Sequence, residues 1–140
     1  MKWSLIFLLS AFGLAMGFGT VYYIPVTIEP FCWALIFVIS AFVTGRYCAE
    51  EYFLNGLAVS ILNAVWMTVL HLTFFTIYAT NHDAEMEIMQ RLLMPDDPQV
   101  MMFFTGIISG AISGVVLGSL SFIAAKLINN NSYTANTLSV

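Results

Sequence analysis

The sequence predicts an all-α, polytopic membrane protein: a four-helix transmembrane bundle with both termini inside. Three observations predict it. First, 60% of the 140 residues are hydrophobic and only 9% are charged, whereas soluble domains carry about 25% charged residues. Second, four apolar segments, at about 3–24, 31–48, 53–79 and 100–128, are each long enough to cross a hydrocarbon core of about 30 Å. Backbone facing lipid must bond to itself, so these segments are helices. Third, with four spans and the N-terminus inside, Lys2, Arg46 and Lys126 fall on the cytoplasmic side and Arg91 alone falls outside, which obeys the positive-inside rule.

The first span opens after Lys2 and resembles a secretory leader, with Gly13-Leu14-Ala15 as a loose cleavage site. Its apolar run continues to Ile24, beyond a leader core, so an uncleaved span is expected. Pro25 closes it, and Pro30 sits where the next helix starts. Cys32 and Cys48 lie at opposite ends of the second span, about 24 Å apart along a helix, too far for a disulfide. Arg46 and Glu50 would pair if that helix ran on. Asp97-Pro98 reads as an N-cap followed by proline at the first helical position of span four. Trp3, Tyr47 and Tyr52 suit the inner interface, and Tyr22, Tyr23, Trp33 and Tyr78 the outer one. Residues 1–128 therefore form the membrane domain, and 129–140, "NNSYTANTLSV" after Asn129, a flexible polar tail. "WSLIFLLSAF" (3–12) and "WALIFVISAF" (33–42) match at seven of ten positions. The two spans cross in opposite directions, so a true repeat would be an inverted one.

Span four carries "TGIISGAISGVVLGSLS", with glycine at 106, 110, 114 and 118. Glycine inside a helix costs about 1 kcal/mol relative to alanine. Close helix contact in lipid rewards small residues, because tails do not drive helices together as water does. Gly106, Gly110, Gly114 and Gly118 are thus a packing ridge, with Ile108, Ile112, Val115 and Val116 turned to lipid. Gly13 and Gly17 in span one, and Ala41 and Gly45 in span two, are its expected partners, with a second copy of the chain as another.

On span three a helical wheel places Gly56, Ser60, Asn63, Met67, His71, Phe74 and Tyr78 on one face. Asn63 and His71 therefore point inward. An ionisable group within a span is a functional hypothesis by default; a neutral histidine bonded to a neighbouring helix is the plainer reading. Between spans three and four, "NHDAEMEIMQRLLMPDDPQ" (81–99) holds five acids and one base, a net −4 that equals the charge of the whole chain. Residues 84–94 read as a short amphipathic helix capping the outer surface. Carboxylates there could meet Ca²⁺ or Mg²⁺, yet the spacing is not that of a ligand loop. No metal-binding, nucleophile or phosphate-loop motif is present, nor a basic patch for nucleic acid. No catalytic residue and no cofactor are expected.

The third span running into "NHDAEMEIMQRLLMPDDP", followed by a small-residue fourth span ending at Lys126, resembles small bacterial four-span proteins filed as domains of unknown function. The resemblance covers about half the chain and implies location rather than activity. Small multidrug-resistance transporters carry a carboxylate in their first span, which residues 3–24 lack. "TGRYC" (44–48) is only a fragment of the fluoride-channel pattern.

The sequence leads to a non-enzymatic, multi-pass protein of the inner (plasma) membrane, structural or accessory, whose spans pack through the glycine-rich fourth one on each other, in a homo-oligomer or on another membrane protein. The alternative is a small oligomeric permease or channel with a polar pathway around Ser60, Asn63 and His71.

Overall fold

The computed structural model describes residues 1–91 and 97–137, with side chains described for all of these except 89, 90 and 131–137. The described residues form six helices and no strand: α1 (Trp3–Tyr22), α2 (Glu29–Tyr47), α3 (Tyr52–Thr73), α4 (Phe75–Asn81), α5 (Asp83–Arg91) and α6 (Pro98–Thr137). Of these, α1, α2, α3 and the Pro98–Asn130 part of α6 are long and apolar enough to cross a membrane.

Local chemistry sets the boundaries. Pro30 lies in the first turn of α2 with Glu29, where a missing N–H costs nothing and a carboxylate meets the positive helix end. Because α2 stops at Tyr47, Arg46 and Glu50 do not share a helix, and the pair expected between them is not built. The turn into α3 is closed by Asn55 instead. Its Nδ2 donates to the carbonyls of Glu50 (3.3 Å) and Glu51 (2.9 Å), and its Oδ1 accepts the Lys2 backbone N–H (2.8 Å). Glu51 sits at φ 55°, a left-handed conformation that is unfavourable for a residue with a Cβ. The Asn55 bonds and an ion pair with the Met1 amino group hold it there.

The third apolar stretch is not one helix. It breaks at Phe74, which has φ −106° and ψ 32°. No proline or glycine marks the break. Thr73 bonds back to the Val69 carbonyl at 2.6 Å, which bends helices, and Thr73 to Ile77 is a run of β-branched and aromatic residues with modest helix propensity. At 22 residues α3 still covers about 33 Å, enough for a span. At the other end of the chain, α6 continues through the polar residues from 129 to Thr137. Extending a formed helix costs little compared with nucleating one. Residues 92–96 and 138–140, which include parts of the expected acidic helix and of the polar tail, lie outside the described residues.

Helix α3 is the centre of the assembly. It packs most extensively on α6 and next on α1, while α2 packs mainly on α6 and scarcely touches α1. The expected partners of the glycine ridge are corrected here: the four glycines face α3, not spans one and two. An added Cβ at Gly106 would strike the Thr68 side chain; at Gly110 it would sit 2.7 Å from Ala64 Cβ, and at Gly118 2.8 Å from the Phe53 carbonyl. The reason is a second row of small residues, Gly56, Ser60, Ala64 and Thr68, also at every fourth position. The two rows run antiparallel and interlock, with the Ser60 hydroxyl donating to Ser113 Oγ at 2.9 Å. Gly13 and Gly17 also face α3, against Asn63 and Leu70, and Gly45 of α2 faces Ala124 and Ala125 of α6. Ile108, Ile112, Val115 and Val116 are exposed.

The glycines are not equivalent. A Cβ at Gly45 would lie 2.8 Å from the Ala125 nitrogen and one at Gly56 2.8 Å from the Leu117 carbonyl, both backbone atoms that cannot turn aside; at Gly114 the nearest atom is 3.5 Å away, ordinary contact. Gly45→Ala and Gly56→Ala are therefore expected to destabilise the protein by about 1–3 kcal/mol through overpacking. Gly114→Ala is expected to be neutral or to gain up to about 1 kcal/mol of helix propensity. Thermal unfolding of the three variants in one detergent checks the ranking.

Candidate functional site

Beside the α3–α6 contact, at the end that carries Glu29 and Tyr78, α2 does not fill the space against the two helices. A cavity of about 430 Å³ opens between the three helices. From α3 it is lined by Ser60, Asn63, Met67, Thr68 and His71; from α6 by Met102, Thr105, Ser109 and Ser113; from α2 by Glu29, Trp33 and Phe37; Tyr78 of α4 closes one end. Helix α1 takes no part in the lining. Its role is to hold α3 from behind.

The three residues expected to form a polar pathway, Ser60, Asn63 and His71, thus all border one cavity. Their bonds differ. Ser60 is fully used in the α3–α6 contact. Asn63 is 1% exposed, and its Oδ1 accepts the Gly13 backbone N–H at 2.9 Å, while its Nδ2 has no partner. A buried amide hydrogen pair left unbonded costs about 1–3 kcal/mol. The Gly13 approach explains why Asn63 stands there: a Cβ at 13 would sit 2.7 Å from the Asn63 carbonyl oxygen.

His71 is oriented by α1. Its Nε2 lies 2.7 Å from Thr20 Oγ1, and that hydroxyl already has the Met16 carbonyl at 2.9 Å and the Gly17 carbonyl at 3.2 Å as acceptors. One hydroxyl hydrogen serves the carbonyls, so the ring donates Nε2–H to Thr20 and keeps Nδ1 as an acceptor. The break at Phe74 lets Tyr78 return beneath this ring. His71, Tyr78 and His82 form a stack with 4.2 Å between successive centroids. His82 Nδ1–H donates to the Tyr78 carbonyl at 3.1 Å, and its Nε2 is buried without a partner. Asn81 Nδ2 ties this segment to α1 through the Val21 carbonyl at 2.8 Å.

Tyr78 is 7% exposed, and its ring borders the cavity. Trp33 is half-buried at the mouth, where its indole N–H donates to Glu29 Oε1 at 3.1 Å. Trp3, Tyr22, Tyr23 and Tyr47 are exposed. Glu29, Trp33 and Tyr78 are the site residues that sequence reasoning missed. A carboxylate four residues before a tryptophan at a helix start looks like ordinary capping, and nothing in the sequence says that the pair borders the same cavity as His71 on another helix.

Among the described residues no three His, Cys, Asp or Glu side chains converge to hold a metal. Cys32 and Cys48 are unpaired thiols. Arg91 pairs with Glu87 on the exposed face of α5, which leaves Glu29 without a basic partner among the described residues. A scan against family models matches none, and no curated protein or solved structure matches the chain.

Burial, then the carboxylates of Glu29 and Glu85, push the Tyr78 phenol up to about 12 from an ordinary 10.0. The folded state holds that proton more tightly than the unfolded chain does. The resulting stability is fully present below about pH 10 and is lost as pH rises towards 12. Ultraviolet titration of tyrosinate is expected to show a late-ionising phenol that disappears in Tyr78→Phe, with the other tyrosines unchanged.

Proposed function

We propose that this chain is a non-enzymatic, multi-pass protein of the plasma (inner) membrane. In this reading its four spanning helices form a bundle with both termini inside, and its working part is the cavity between α2, α3 and α6. The observation that carries this is the cavity itself. Membrane helices with interlocked small residues pack closely, yet about 430 Å³ remains open beside Asn63 and His71. A pocket of this size with a few converging polar groups is the usual form of a small-molecule site.

Binding and passage of a small solute are the activities such a site supports. Four helices rarely enclose a pathway alone, so passage across the whole membrane requires a second copy or a rearrangement of α2, the helix least buried among its neighbours save α6. The accessory reading takes second place for a specific reason. The glycine ridge is occupied by α3 of the same chain, so an accessory role has to use the exposed branched residues of α6 or the outer face of α2, which suit lipid equally well. The location agrees with the resemblance to small bacterial four-span proteins.

In proteoliposomes the protein is expected to bind or pass a solute, or protons, above the empty-vesicle background, and His71→Ala is expected to abolish that excess. Ile112→Ala, on the exposed side of α6, leaves it unchanged. No excess over a broad panel of solutes and ions, or an excess indifferent to His71, contradicts the proposal.

A further inference from the structure

The chemistry of the cavity mouth selects what enters. Among the described residues, Glu29 is the one carboxylate in the lining, which holds no lysine or arginine. Its Oε1 accepts from the Trp33 indole, and no basic side chain among the described residues pairs with it. Around it stand the rings of Trp33 and Phe37, edge to face at 6.2 Å, while Tyr78, with its two faces covered by His71 and His82 at 4.2 Å each, closes one end. The unshared nitrogen of His71 is an acceptor, as argued from its Thr20 bond. The carboxylate, the Trp33 and Phe37 rings and that nitrogen present negative potential. The surroundings reinforce it: Asp83, Glu85, Glu87 and Asp97 belong to the same end of the molecule, where Arg91 is already paired. Lys2 and Lys126 lie at the opposite end, Lys2 bonded to the Tyr47 carbonyl at 2.9 Å and Lys126 over the Phe122 ring at 4.7 Å. Met67 and Met102 add adaptable apolar side chains to the lining.

We infer that the cavity is a binding site for a lipophilic organic cation, with Glu29 as counter-ion and Trp33 and Phe37 as its aromatic walls. Cation–π attraction strengthens as the pair is desolvated, and an acidic mouth with low-dielectric walls concentrates cations. An anion of the same shape meets a carboxylate and the rings of Trp33 and Phe37. This inference rests on the cavity being the working site, and it adds the ligand class.

The test uses the full-length protein in nanodiscs, titrated with tetraphenylphosphonium and, separately, with tetraphenylborate, an ion of matching shape and opposite charge. Empty discs give the background. Saturable binding of the cation above background is expected, with no excess for the anion. Glu29→Gln is expected to weaken cation binding about tenfold or more, a loss in line with removing a desolvated counter-ion. Glu29→Asp, which keeps the charge, retains most of the affinity, and Trp33→Leu loses it. Equal binding by wild type and Glu29→Gln, equal loss in Glu29→Asp and Glu29→Gln, or no saturable cation binding each overturns the inference. Saturable anion binding that Trp33→Leu abolishes overturns the cation assignment but leaves the cavity as a site. An absence of binding by either ion, joined to flux that ignores His71, removes both.

Discussion

The close approach of α3 and α6 is the constraint on which the rest depends. Neither helix is driven to the other by water, so contact has to come from fit. Two rows supply it: Gly56, Ser60, Ala64 and Thr68 on one helix, and Gly106, Gly110, Gly114 and Gly118 on the other. Both rows use a spacing of four, which drifts around a straight helix by about 40° per step. The helices must therefore cross rather than run parallel. They touch closely where Gly56 meets Leu117 and Gly118, and α2 leaves space beside them near Thr105 and Ser109. The contact stays close at both ends, Gly118 against Phe53 and Gly106 against Thr68, so the open space lies beside the two helices and not between them.

That geometry explains why polar residues gather where they do. With α6 taking the small-residue row, the neighbouring face of α3 is left to α1, and two bonds cross there: the Gly13 backbone N–H donates to the Asn63 side chain, and the His71 ring donates to the Thr20 hydroxyl. They fix the two polar groups from behind, as a bonded scaffold does for a binding site. The unfilled Asn63 Nδ2 and the free His71 nitrogen are what the scaffold leaves over. Helix α2 contributes only near its start, where Glu29 and Trp33 meet, and there the cavity gains its charge.

Much of this was legible in the sequence, and the rest fails for definite reasons. Hydrophobic runs identify the four long helices, since lipid leaves the backbone no other arrangement, and the glycines of span four mark a surface where a neighbour comes near. A wheel fixes the direction of a side chain on its own helix. It does not say which helix lies opposite. So Gly110 could be assigned to contact while its partner, Ala64, was not recognised, although the row Gly56-Ser60-Ala64-Thr68 was there to be matched. The break at Phe74 was hidden because no proline or glycine causes it, so the return of Tyr78 beneath His71 was not foreseen. The convergence of Glu29 with His71 joins residues from helices far apart in the chain, which periodicity cannot register.

The most direct measurement is oxidative cross-linking of the α3–α6 contact. Ser60 and Ser113, whose hydroxyls are 2.9 Å apart, are replaced by cysteine in a chain whose Cys32 and Cys48 are serine, and the products are sized under denaturing, non-reducing conditions. The account predicts a fast, dilution-independent disulfide within one chain, running at monomer size. A disulfide that forms only between chains, and fades on dilution into excess lipid, would contradict it and return the glycine ridge to an interface between molecules.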